Sequence, residues 1–109
     1  DEEKMDKAIK YLKKAIIHNK NFVQAYATLG TAYFMKGLIP EGIKANLEAV
    51  QIQPEFPVAH NNLAVAYLEN KEFSKAIEHC DKAEEFGFEV AQELKDELAP
   101  HRTATDSLQ

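Results

Sequence analysis

The sequence predicts an all-α fold, a helical solenoid built from antiparallel helix pairs, and three observations carry that prediction. Apolar residues recur at spacings of three and four along most of the chain, the period of one helix face. These stretches are separated by Gly37, by Pro54 and Pro57, by Gly87, and by the polar triplets Asn19-Lys20-Asn21 and Asn70-Lys71-Glu72, all of which interrupt helices. The whole pattern also returns after 34 residues: Ala25, Leu29, Ala32, Tyr33, Ile43 and Ala49 become Ala59, Leu63, Ala66, Tyr67, Ile77 and Ala83. Gly30 and Gly42 become Ala64 and Ala76, so small positions stay small. A fixed period of this kind marks units that bury their apolar faces against copies of themselves.

A first helix is expected over residues 3–18, where Met5, Ala8, Ile9, Leu12, Ala15 and Ile16 form one stripe. Asp1, Glu2 and Glu3 favour its start through the helix dipole. The second and third helices, 22–36 and 40–53, join at Gly37-Leu38-Ile39, with Pro40 suited to a first helical turn. Gly30 and Gly42 would each weaken an isolated helix by about 1 kcal/mol relative to Ala, so they point to a close approach of two helices. Pro54 and Pro57 end that pair, because proline cannot continue a preceding helix and restricts the residue before it. The fourth and fifth helices, 57–70 and 73–86, repeat the arrangement. Beyond Gly87, the stripe of Val90, Ala91, Leu94 and Leu98 predicts a sixth helix over 89–99 that caps the stack, with Glu93, Lys95, Asp96 and Glu97 facing water. The resulting domain is 1–100, made of a half repeat (3–22), two repeats (23–56 and 57–90) and the cap; 101–109 has little to bury and is expected to fray.

The residues Tyr26-x-x-Leu29-Gly30-x-x-Tyr33, followed by Ile43, Ala49 and Pro54, resemble the tetratricopeptide repeat, and His60, Leu63, Ala64 and Tyr67 come close to refilling the same motif. Asn46 and Cys80 stand where the family prefers an aromatic, Lys20 and Phe88 where it prefers Pro, and His60 where it prefers Trp or Tyr. The resemblance implies a right-handed solenoid that acts as a non-catalytic scaffold and binds a protein or peptide segment in its concave groove. The first helix of each pair lines that groove in this family. By that carry-over the lining is Gln24, Ala27, Thr28, Thr31, Phe34 and Met35 from the second helix, and Val58, Asn61, Asn62, Val65, Leu68 and Glu69 from the fourth. Amides here can bond an extended backbone, while Phe34, Met35 and Leu68 offer apolar contact. Chaperone-binding members hold a C-terminal carboxylate with Lys, Arg and Asn on these helices. Asn62 matches one such Asn, but the second helix has only Lys36 at its far end and the fourth has no cation. A clamp without charge-assisted bonds binds a carboxylate poorly, so tail binding of that kind is not expected.

Composition narrows the remaining classes. The net charge of −5 divides into +2 through Pro54 and −7 beyond it. Lys7, Lys10, Lys13 and Lys14 give the first helix a positive face that is too local, and too poor in aromatics, for nucleic acid. No apolar run reaches the roughly 18 residues of a membrane helix, and no segment reads as a secretory signal; a cytoplasmic location is expected. Cys80 is the single cysteine and falls on an inward stripe, as a buried small hydrophobe. His18, His60, His79 and His101 show no close ligand spacing, and the scattered glycines build no phosphate nest. Neither a metal, a cofactor nor an enzymatic activity is expected. An alternative to groove binding is self-assembly: the open face of the first helix, the positive charge beside it and the acidic far end would let copies stack head to tail.

Overall fold

The structure, a computed structural model, describes residues 1–102. Its elements are α1 (Glu2–His18), α2 (Val23–Met35), α3 (Ile39–Ile52), α4 (Pro57–Glu69), α5 (Phe73–Glu85), α6 (Gln92–Leu98) and a 3-10 turn, Ala99–His101. Every element among the described residues is helical, and the stack measures 46 × 27 × 20 Å. The expected all-α solenoid is therefore what forms, with helix ends within one or two residues of the sequence reading except at the cap.

Each helix follows from local chemistry. Asp1 caps α1 by accepting a bond from the Lys4 N–H at 2.9 Å, which satisfies one of the orphan donors of a first turn. Ile9 is buried, and Met5, Leu12 and Ile16 pack with it against Leu29, Ala32, Ala45 and Tyr33. Pro40 and Pro57 occupy the first turns of α3 and α4, where their missing N–H costs nothing. The turn within each pair is closed in the same way: Leu38 N–H donates to Tyr33 O at 2.9 Å and Glu72 N–H to Tyr67 O at 2.8 Å. Both turns need a residue at positive φ, supplied by Gly37 at 79° and, one repeat on, by Lys71 at 61°.

Within the α2–α3 pair the two helical glycines have specific partners. A β-carbon on Gly30 would strike the Asn46 amide nitrogen and lie 3.0 Å from Gly42 O, while one on Gly42 would run into three atoms of the Phe34 ring, the farthest at 2.9 Å. The second pair carries larger residues at both glycine positions, Ala64 and Ala76, and a smaller residue opposite each, Cys80 for Asn46 and Leu68 for Phe34. Volume is thus conserved across each contact rather than at each position.

The larger core joins α4, α5 and the cap through Leu63, Ala64, Tyr67, Ala76, Ile77, Cys80 and Ala83, closed by Val90, Leu94 and Leu98. Leu63 and Leu98 are wholly buried. The cap helix is shorter than its stripe suggests. Gly87 turns the chain at φ 97°, Ala91 is the N-cap at ψ 136°, and Val90 reaches the core from the extended segment before it. A spacing of four between Val90, Leu94 and Leu98 mimics one helix face although only the last two are helical. The tail also departs from expectation at its first residues: the His101 ring lies flat on Phe73 at 3.5 Å, and Arg102 grips Asp81 through two bonds of 3.2 and 2.6 Å. Residues 103–109 of the expected frayed tail lie outside the described residues.

Candidate functional site

α2 and α4 pack against each other, and two hollows lie along them. The first, about 420 Å³, is lined by Gln24, Ala27, Thr28, Thr31, Phe56 and Val58. It is neutral and mixed, with the Thr31 hydroxyl donating to Ala27 O at 3.2 Å. The second, about 540 Å³, lies where α4 meets the cap and is lined by Val65, Leu68 and Glu69 together with Lys71, Phe73, Glu93, Leu94, Glu97 and His101. Three carboxylates face one lysine there, so the hollow repels an anionic ligand and favours a neutral or basic one.

The predicted lining does not all serve the groove. Gln24, Thr28, Thr31 and Val58 meet in the first hollow; Val65, Leu68 and Glu69 meet in the second. Phe34 points to α3, where its ring covers Gly42. Met35 is 67% exposed but lines a separate pocket with Asp1, Glu2, Met5 and Lys36. Asn61 is half-buried and lines neither hollow. Asn62 is engaged in packing: its amide donates to Asn46 Oδ1 at 3.1 Å and to Thr31 Oγ1 at 3.4 Å. Asn46 is fully buried, and its own amide donates to Gly42 O at 2.9 Å. Lys36, the C-cap of α2, is bound to Asp6 of α1, a hydrogen bond that raises its pKa. The sequence reading missed Phe56, Phe73 and the cap residues. Phe56 had a signal, since it stands one repeat after Phe22.

Two further clusters bear on chemistry. The pairing of α4 with α5 brings His60 and His79 together, Nδ1 to Nδ1 at 2.9 Å, a contact that their spacing along the chain does not signal. Pro54 O can only accept, so His60 Nε2, at 2.6 Å, donates to it; in that tautomer His60 Nδ1 accepts from the His79 N–H. Burial first, and the His60 ring second, push the pKa of His79 down to about 4. Cys80, Asp81 and Glu84 bring their side-chain ligand atoms within 4.8 Å of one another. Asp81 is held by Arg102 and Glu84 by Lys95, while burial pushes the buried Cys80 thiol up. A raised thiol pKa makes a poor nucleophile.

A right-handed stack of helix pairs with a concave face and a polar cap belongs to the class of helical-repeat solenoids, most of whose members work through that face. Residues 57–86 match the family model of the tetratricopeptide repeat. The chain carries this repeat and folds as a tetratricopeptide solenoid. Among curated proteins, Hsp70-Hsp90 organizing protein 3 of Arabidopsis thaliana is 30% identical over 92 residues, 78% of this chain and 16% of that protein. Stress-induced-phosphoprotein 1 of Caenorhabditis elegans is 28% identical over 79 residues, 72% of this chain and 25% of that protein. The chain thus spans a quarter or less of the length of these relatives. Among solved structures, MamA superposes with a TM-score of 0.73 at 29% identity, over 76% of this chain and 48% of that one. The TPR2B domain of yeast Sti1, solved in complex with pHsp70, gives 0.80 at 23% identity, over 92% and 86%. No helix among the described residues is long and apolar enough to cross a membrane.

Proposed function

We propose that this chain is a non-catalytic protein-interaction scaffold that receives an extended segment of another protein along the groove of α2 and α4. The observation that carries this reading is the pair of hollows along α4, one neutral and one acidic. Gln24 and Thr28 supply hydrogen-bonding groups for a backbone, and Val58 and Val65, both about 40% exposed, supply apolar contact. The relatives named as organizing proteins of Hsp70 and Hsp90 support the scaffold role. They do not extend to capture of an acidic chaperone tail, because the first hollow has no cation among its lining residues, Lys71 in the second is outnumbered by Glu69, Glu93 and Glu97, and nearby Lys36 is bound to Asp6. The favoured ligand is a segment with neutral or basic side chains and no terminal carboxylate in the groove.

The test is affinity capture with wild-type bait beside Thr28→Arg and Val58→Arg, two exposed positions where a long side chain fills the first hollow without disturbing the core. Loss of the same captured proteins in both variants supports the groove; undiminished capture refutes it.

A second reading is favoured by α1, where Tyr11 and Ile17 stand 74% and 73% exposed beside Lys7, Lys10 and Lys14. In that reading the acidic cap end of one copy docks on α1 of the next. Light scattering coupled to gel filtration across concentration and salt separates the two: a monomer throughout removes stacking, and a salt-sensitive oligomer that Lys10→Glu and Lys14→Glu dissolve supports it.

A further inference from the structure

Between the two helices of each pair lies a slot that the second repeat fills with its own side chain and the first leaves open. In the second repeat the His79 ring lies between two rings of α4, with its centroid 5.2 Å from His60 and 5.6 Å from Tyr67 at interplanar angles of 25° and 21°. His60 and Tyr67 are seven residues apart, about 10.5 Å along a helix, so their spacing admits one flat ring stacked on both. One repeat earlier the corresponding residues are Tyr26, Tyr33 and Ala45. The two aromatic walls remain and the central ring is replaced by a methyl group, leaving an open pocket of about 410 Å³ that these three residues line.

The rim changes with the occupant. Around His79 the positions are Lys75, Glu78 and Lys82; around the open slot they are Glu41, Lys44 and Glu48. These three positions sum to +1 beside the internal ring and to −1 beside the open slot, where Lys13 of α1 balances the excess acid. A cation is already drawn to this spot, since Lys13 Nζ of α1 stands 6.0 Å from the centre of the Tyr33 ring. That distance is the outer limit of a cation–π contact, and a flexible exposed lysine is readily displaced.

From this internal template and the inverted rim we infer that the slot between Tyr26 and Tyr33 over Ala45 binds a flat cationic side chain, the guanidinium of an arginine on a partner protein. A guanidinium stacks on tyrosine with its plane parallel to the ring and still offers in-plane donors to carboxylates at the edge, which a compact ammonium cannot do in the same pose. The slot shares no lining residue with either hollow of the groove, so it is a second contact surface that stands or falls apart from groove binding.

The test is an NMR titration of the intact chain with acetyl-arginine amide, beside acetyl-citrulline amide as the neutral isostere and acetyl-lysine amide as the compact cation. Acetyl-arginine amide is expected to shift the signals of Tyr26, Tyr33 and Ala45 with a dissociation constant on the order of 1 mM, at least about threefold tighter than either comparison probe. The surface variant Glu41→Lys with Glu48→Lys, which copies the rim of the second repeat, should weaken that binding about tenfold or more. Ala45→His should fill the slot from within and remove the response. Equal binding of the citrulline or lysine probe, shifts centred elsewhere, or an unchanged affinity in the rim variant each overturn the assignment.

Discussion

Replacing Gly42 by Ala tests whether the two repeats conserve volume by contact rather than by position. On an isolated helix the change gains about 1 kcal/mol from intrinsic propensity. In the structure the new β-carbon would meet Cδ1, Cε1 and Cζ of Phe34, so the ring must move bodily rather than swing one atom aside. Overpacking of that kind costs about 1 to 3 kcal/mol, and the net expectation is a loss of up to about 2 kcal/mol. Phe34→Leu alone removes ring volume over a glycine and should cost about 1 kcal/mol. The double variant reproduces the Leu68–Ala76 contact of the second repeat and should return to within about 1 kcal/mol of wild type, a coupling of about 2 kcal/mol. Urea unfolding followed by far-ultraviolet circular dichroism measures all four corners of the cycle. If Gly42→Ala stabilises on its own, or if the double variant is the sum of the singles, the compensation argument fails.

Lys71→Gly should stabilise by about 0.5 to 1 kcal/mol in the same assay, because Lys71 holds φ 61° where the first repeat has Gly37. Asn62→Ala removes the donor to the fully buried Asn46 carbonyl and should cost about 1 to 3 kcal/mol, so it reports on packing rather than on ligand capture. Ile77→Ala empties a buried site in the larger core and should cost about 2 to 5 kcal/mol by the same measurement. The melting temperature should fall as the pH is lowered from 6.5 towards 4. With its folded pKa near 4, below the ordinary 6.5, His79 leaves the unfolded chain holding more protons across that window. His79→Ala, which copies Ala45, should flatten this part of the curve, and an unflattened profile would place the acid sensitivity elsewhere.

The period of 34 residues made the helix pairs and their small positions legible in the sequence, and the stripe of Leu94 and Leu98 marked the cap but not where it starts. The groove was legible only in part. Helical spacing assigns Phe34 and Leu68 to a face adjoining Gln24, Thr28 and Val65, and only the closeness of Gly42 to α2 shows that Phe34 turns inward. Asn62 looked free because its partner Asn46 lies 16 residues away on another helix. The contact of His60 with His79 likewise depends on the antiparallel register of α4 and α5, which residue spacing along one helix cannot express. Comparing repeats position by position would have exposed it, for Tyr26 and Ala45 become His60 and His79.

The bond between Asn62 and Asn46 also fixes which repeat follows which. A buried amide oxygen accepts any neighbour that brings a donor and penalises every neighbour that does not, and Asn62 brings one to the face of α3. The equivalent place on α5 is Cys80, buried under the cap and indifferent to such a donor. A slipped stack, or an exchange in which the cap of one molecule settled on the first pair of another, would leave Asn46 unanswered. The two repeats look interchangeable by shape, yet one polar atom gives the array a reading direction.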